Sequence, residues 1–408
     1  MSAELHLPDC IHCGLCLTAC PTYLVTGLEA ESPRGRLMFI DSLLTGDTSH
    51  TPRSSSMAWS HLDTCLDCRA CATACPSGVD YPGILDDIRM KQAISAPPSR
   101  MKKFLLNALV SRGFRNISQI MIRVAQITGM IRVLAKLLPI LKGFPSINTR
   151  SYSSANPEVL SAIGERKGTV ALFTGCVMDN FYSTVHESTV RLLRWNGFDV
   201  QIPKHQTCCG ALHHHNGLRR EVAGLARKNI DAFHQADIVI VNAAGCGAEL
   251  KEYPDRQFTQ KVMDITEFLD SIDLKEFHHT TSASSMKVIW DAPCHLAHGQ
   301  KIHDAPHRLL ERSGLKEIPF PQSQLCCGSA GSYMVTQPES AEAILKMKIE
   351  DIKRTGCDVI ITANPGCQMH IQKGLVQFTQ SQKVTHICEI LDEVYQINPE
   401  YKNNFNKG

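Results

Sequence analysis

Two short runs of cysteine constrain this chain more than anything else in it. Cys10, Cys13, Cys16 and Cys20, closed by Pro21, read C-x2-C-x2-C-x3-C-P. Cys65, Cys68, Cys71 and Cys75, closed by Pro76, repeat that spacing. The segment Met1 to Pro8 has no basic stretch and no apolar stretch of the kind that opens a secretory signal. The thiols are therefore expected to stay reduced, and clustered cysteines then read as metal ligands rather than disulfides.

Three thiolates two residues apart can wrap three corners of a cubane, while a fourth on the following helical turn points away. In the bacterial two-cluster pattern that fourth cysteine ligates the other cluster. Cys10, Cys13, Cys16 and Cys75 are thus assigned to one [4Fe–4S] cluster, and Cys65, Cys68, Cys71 and Cys20 to a second. A pair of zinc sites needs only two C-x2-C pairs each, so the full duplicated run with its trailing proline favours iron–sulfur. Gly14 and Ala70 are expected to leave room for backbone amides near cluster sulfurs.

The chain has 408 residues, 43% of them hydrophobic and 20% charged, with a net charge of +2. That composition fits a globular protein of two or three domains and gives no global sign of a nucleic-acid partner. No apolar run has the length of a transmembrane helix. The most apolar segment, from Ile117 to Phe144, is broken by Arg123, Gln126, Arg132, Lys136 and Lys142.

From Ile88 to Pro157 there is no Asp or Glu, against twelve Lys and Arg. Apolar residues at helical spacings between Lys102 and Leu141 predict two or three amphipathic helices. Pro97-Pro98 and the Ser151-Tyr152-Ser153-Ser154 tract read as bordering loops. Such a basic stretch suits an anionic membrane surface or an acidic partner; the plainer alternative is a connector whose cations face water.

An internal duplication organises the rest. The strand-like run ending at Cys176 pairs with the one ending at Cys294. Cys208-Cys209-Gly210 pairs with Cys326-Cys327-Gly328, and Gly245-Cys246 pairs with Gly366-Cys367. Helices are predicted at Ser183–Trp195, Glu221–His234, His307–Arg312 and Glu339–Arg354. Short β-branched runs between helices imply a small parallel sheet in each copy, with post-strand loops gathered on one edge. Cys176, Cys208, Cys209 and Cys246, and likewise Cys294, Cys326, Cys327 and Cys367, are candidate ligands for further iron–sulfur or zinc centres. Cys357 and Cys388 lack counterparts and read as core. Each vicinal Cys-Cys pair must sit in a turn, because side chains alternate along a strand.

This duplicated pattern resembles the CCG (cysteine-rich) domain, found twice in heterodisulfide reductase subunits. Members of that family close with C-x2-C; here the earlier position of that pair holds Ala243 and Asn364. The non-cubane cluster of the family is put in doubt by those departures. His213, His214, His215, His295 and His298 lie near the motifs and could substitute, although a hydrogen-bonded histidine is the blander role for each.

The full layout, with Ser32-Pro33-Arg34-Gly35-Arg36 after the first run, resembles the iron–sulfur subunits of glycolate oxidase (glycolate dehydrogenase). The implied fold is a mainly helical ferredoxin-like domain (1–95), a basic helical spacer (96–160) and two α/β CCG units (161–280 and 281–408). The resemblance implies flavin-binding partner subunits that oxidise glycolate to glyoxylate and a quinone or other electron acceptor. A cytoplasmic location is expected, where the basic stretch could lie on the cytoplasmic face of the inner membrane or dock on a partner subunit. The iron–sulfur subunit of anaerobic glycerol-3-phosphate dehydrogenase shares the layout. A CCG-type heterodisulfide or thiol reductase subunit, or a metal-stabilised scaffold, are further alternatives. The chain has no G-x-G-x-x-G and no catalytic acid–base pair, so independent substrate oxidation is not expected.

Overall fold

The computed structural model describes residues 10–45, 52–131, 147–278 and 286–405. Two small sheets organise the C-terminal three fifths. The first comprises β1 (Val159–Leu160), β2 (Gly168–Phe173), β3 (Phe198–Gln201), β4 (Val239–Val241) and β5 (Val262–Asp264), in the order β1-β3-β2-β4-β5. All pairings are parallel except β1 with β3, where Val159 faces Gln201. The second comprises β6 (Lys287–Trp290), β7 (Lys316–Glu317), β8 (Val359–Thr362) and β9 (Lys383–His386), all parallel, in the order β7-β6-β8-β9. The central strands β4 and β8 are buried along their whole length. Helices cover both faces, which is why these strands are continuous apolar runs rather than alternating ones.

The helices between strands fall close to their predicted places: Ser183–Trp195, Arg219–Ala232, Asp304–Arg312 and Pro338–Thr355. The last of these stops at Gly356, in the left-handed region at φ 65°, which a glycine tolerates without a Cβ clash. The duplication also extends further than the cysteines. After β5 a helix starts with a capping box of Asp264 and Glu267; after β9 the matching helix starts with His386 and Glu389 in the same arrangement.

One apolar core spans both units. Leu192 and Trp195 of the first pack in the same cluster as Ile387, Leu391 and Tyr395 of the second. Buried Asp392 accepts hydrogen bonds from Ser188 and Arg191 across the seam, and from Tyr401. The two copies are therefore halves of one body.

The N-terminal region is helical, with Pro33–Thr45 and Tyr81–Ser95 packed around Leu37, Ile40, Leu62, Leu85 and Ile88. Helices Arg100–Val110 and Arg112–Ile127 follow; the predicted helical stretch beyond residue 131 lies outside the described residues. The tract read as a loop at Ser151 to Ser154 is instead largely buried and forms a helical turn, Tyr152–Ala155. Asp179 draws it in by accepting from the Ser153 N–H at 2.7 Å and the Ser153 hydroxyl at 2.8 Å. A serine-rich tract can fold inward when a buried carboxylate satisfies it.

Candidate iron–sulfur sites

The two N-terminal cysteine loops have the same backbone shape. His12 and Gly14 have φ of 54° and 82°; Asp67 and Arg69, at the matching positions, have 54° and 64°. Left-handed residues at both inter-cysteine steps curl each loop around one point. Arg69 occupies the place of Gly14 in the second loop, and Ala70 opens the short helix Ala70–Thr73.

One cavity is lined by Cys65, Cys68 and Cys71 of the second run together with Cys20 of the first. Cys10, Cys16, Cys65 and Cys75 all pack against the Leu37–Leu85 cluster, of which Cys71 is a buried member. Burial pushes the Cys68 and Cys71 thiols well up from their usual range. Such sulfurs carry negative charge only beside a compensating cation, which an iron–sulfur core supplies. The donor set and its loop geometry fit a cubane.

The Ser32-Pro33-Arg34-Gly35-Arg36 stretch clamps both loops. Arg34 donates to the His12 carbonyl at 2.7 Å and forks onto Glu29. Arg36 is buried, pairs with Glu31 at 2.8 Å, donates to the His61 carbonyl at 2.8 Å just ahead of Cys65, and lines the cavity. Its guanidinium lies 3.9 Å from Cys20 Sγ. A side chain at Gly35 would meet the Glu29 carbonyl oxygen at 2.0 Å, so the position admits glycine alone.

Each CCG unit gathers its four cysteines at the C-terminal sheet edge. Cys176 Sγ lies 3.4 Å from Cys208 Sγ, and Cys209 neighbours Cys246. Cys294 Sγ lies 3.9 Å from Cys326 Sγ, and Cys327 neighbours Cys367. Gly210 and Gly328, at φ of 99° and 89°, make the turns that bring both vicinal sulfurs to one side. The separations bracket the edge of about 3.8 Å expected for a tetrahedron with metal–sulfur bonds of about 2.3 Å. In the second unit the thiols are split: hydrogen bonding from Cys326 lowers Cys294 and Cys327, while Cys326 and Cys367 are pushed up. In the first unit Cys176, Cys208 and Cys209 are all pushed up. Cys357 and Cys388 are buried in the core.

The positions lacking the family's fifth cysteine serve the seam between units. Asn364 accepts from the Gly245 N–H at 3.3 Å and lies 3.5 Å from Cys367 Sγ, while the Ala244 N–H donates to the Ala363 carbonyl. Of the five nearby histidines, His295 approaches a candidate thiolate, with Nδ1 3.5 Å from Cys294 Sγ. His213 meets Asn107, His214 lies between Glu249 and Asp86, His215 faces Asp67, and His298 meets Thr73.

The second N-terminal loop is wedged between the CCG units. Asp67 lies 3.4 Å from His215 of the first unit, Arg69 forks onto Glu252, and Thr73 bonds His298 of the second. Leu66, Cys68 and Ala70 share one apolar cluster with Cys326, Tyr333 and Ile344, and Cys294 packs against it. Gly217 permits the close approach on the first unit's side: a Cβ there would lie 2.3 Å from the Arg89 carbonyl oxygen. None of these contacts has a local sequence signal; the paired residues are far apart along the chain.

The fold and sites define an iron–sulfur protein in which a ferredoxin-type dicluster module is built onto a duplicated cysteine-rich body. Residues 6–79 match the 4Fe-4S dicluster domain, and residues 170–251 and 288–372 match the CCG cysteine-rich domain. The chain is 33% identical to the probable glycolate oxidase iron-sulfur subunit of Bacillus subtilis, covering 96% of this chain and 94% of that one. It is 30% identical to the glycolate oxidase iron-sulfur subunit of Escherichia coli, over 97% and 96%. A subunit of the CoM/CoB fumarate reductase of Methanothermobacter marburgensis is 29% identical, over 95% of this chain and 72% of its own length. The chain belongs to the family of glycolate oxidase iron–sulfur subunits, and its role is that of an electron-transfer subunit in an oxidoreductase.

Proposed function

We propose that this chain is the electron-transfer subunit of a cytoplasmic glycolate-oxidising complex. Flavin-binding partner subunits oxidise glycolate to glyoxylate, and a quinone or other acceptor takes the electrons. Cys10, Cys13, Cys16 and Cys75 hold one [4Fe–4S] group, and Cys65, Cys68, Cys71 and Cys20 hold the other. Such groups supply one-electron redox capacity when bound. The observation that carries this reading is that Cys20, from the first run, lines a single cavity with three cysteines of the second. Exchanged fourth ligands place the two sites close together, which suits relay rather than storage.

The protein's own residues do the supporting work. Arg34 and Arg36 fix the two loops, and Arg36 brings a buried positive charge beside Cys20. Cys68 and Cys294 border the same apolar cluster, which links the dicluster module to the second CCG unit. Each CCG unit holds one further centre, iron–sulfur or zinc, on its four thiolates. The short sulfur–sulfur separations favour a single tetrahedral ion.

The test is the complex coexpressed with its flavin-binding subunits and purified anaerobically. Glycolate should reduce a quinone analogue through the intact complex, and Cys68→Ser should abolish this while leaving reduction of the flavin by glycolate in place. Reduction of the quinone analogue without this chain would overturn the reading. Metal analysis with EPR separates the centres: about eight irons plus zinc supports single ions in the CCG units, and about twelve or sixteen irons overturns that part.

A thiol–disulfide reductase reading has one observation in its favour, the low thiols Cys294 and Cys327. It requires that the purified complex reduce disulfides from an artificial electron donor.

A further inference from the structure

The helix Arg112–Ile127 is mounted inside out. Its polar side faces the protein: buried Arg115 donates to Asn180 Oδ1 at 2.9 Å, and buried Gln119 donates to the carbonyls of Asn180 and Asn148 at 2.9 and 3.0 Å. Asn180 returns a bond to Gln119 at 2.7 Å. Its apolar side faces outward. Phe114, Ile117, Ile120, Met121, Val124 and Ile127 are between 45% and 70% exposed. These residues recur at three- and four-residue steps, so they form one stripe along about 20 Å of helix. The preceding helix adds exposed Met101 and Phe104. A contiguous apolar surface of this kind marks a contact site rather than a free surface.

We propose that this stripe docks on an anionic lipid bilayer, lying in the plane of the headgroups. The charge pattern selects that occupant. The whole stretch from Ile88 to Pro157 contains no Asp or Glu, so no carboxylate on it repels lipid phosphates. Lys91, Arg100 and Lys102 are exposed on the elements that lead into the stripe. Basic residues beside an apolar helical face are the recognised form of a surface-lying helix. A protein partner of similar extent would be met by roughly one hydrogen bond per 100–200 Å², and the middle of the stripe offers aliphatic, aromatic and thioether groups. The geometry is that of surface attachment: among the described residues no helix is long and apolar enough to cross a membrane. The hydrogen bonds from Arg115 and Gln119 would hold the stripe outward before any lipid is met, so binding needs no rotation of the helix. The proposal is independent of which substrate the complex oxidises.

The experiment is co-sedimentation of the anaerobically purified full chain with vesicles. Binding to phosphatidylglycerol-containing vesicles at low salt should exceed binding to pure phosphatidylcholine at least tenfold, and should fall in high salt. The pair Ile117→Glu and Met121→Glu should lower it at least tenfold, with the melting temperature and the visible iron–sulfur absorption unchanged. As a variant that keeps the face apolar, Ile120→Trp should show a blue-shifted change in emission on anionic vesicles. Absence of binding, or binding that ignores the two Glu substitutions, overturns the proposal. So does a wild-type dimer that those substitutions make monomeric, which would assign the face to a second copy. Loss of the flavin-binding subunits on substitution, without vesicle binding by the wild type, would assign it to them. A large fall in melting temperature, with no emission change for Ile120→Trp, would mean that the chain itself covers the stripe.

Discussion

Lys348 Nζ lies 2.6 Å from Asp291 Oδ1, and both side chains are buried. The same ammonium donates to the carbonyls of Gln322, Ser323 and Leu325, the residues leading into Cys326-Cys327. In the first unit the corresponding helix does this with a neutral side chain. Asn229 accepts from the Thr207 N–H at 2.8 Å and donates to the Cys208 carbonyl at 3.1 Å. The duplicated cysteine turns are thus held by the same helix in two chemistries, ionic in one copy and neutral in the other.

Replacing Lys348 by Met should be severe, because it leaves the Asp291 carboxylate and three carbonyls without their partner. A loss of about 3–5 kcal/mol is expected. Denaturant unfolding of the chain measures it. The double variant Lys348→Met with Asp291→Leu should recover much of the loss; no recovery would show that the carbonyl bonds, and not the ion pair, dominate.

Asn229→Ala should cost about 1–3 kcal/mol, since the Thr207 N–H and the Cys208 carbonyl would be left buried and unpaired. Metal bound per chain should fall in the first unit with the N-terminal iron unaffected. An unchanged melting temperature would contradict a structural role for Asn229.

Cys20→Ser tests the exchanged ligand. Iron per chain should fall by about half if each cysteine set holds one four-iron group. The EPR signal that survives should be the one lost on Cys10→Ser. If Cys20→Ser and Cys10→Ser remove the same signal, the ligands are not exchanged between runs.

His214 makes the junction between modules sensitive to pH. Its hydrogen bond to Glu249 raises its pKa to about 9, and Asp86 adds to that. A histidine with a raised folded pKa contributes stability that is complete below its unfolded value, about 6.5, and is lost as pH rises through the folded value. Burial raises the Asp86 carboxyl to about 7, so its charging opposes folding between roughly pH 4 and 7. Both groups make the docked state weaker with rising pH. Unfolding midpoints measured from pH 6.5 to 9.5 should decline, and His214→Gln should flatten that decline. A midpoint that rises with pH in the wild type would refute the assignment.

Much of the chain is legible without coordinates. The spacing of the eight N-terminal cysteines names their chemistry because three- and four-residue steps decide which sulfurs can face one point. The duplication is visible because strand, turn and helix are local patterns, and Ser183–Trp195 forms over the predicted residues. Local pattern nonetheless misplaces the Ser151 tract, whose inward fold depends on Asp179. By pattern the cations of the basic stretch should face water or a partner; Arg115 is buried instead, and the apolar stripe is what faces out.

The sequence by itself therefore determined the cysteine inventory, the helical and α/β segments and the repeat. Tertiary structure alone decided two things: that the second cysteine run lies between the two CCG units beside Cys294, and that Asn364 spans the seam where a cysteine is absent. The physical reason is range. Spacing within a turn is set by a few neighbouring residues, whereas these contacts join residues tens to hundreds of positions apart and exist only once the core has packed.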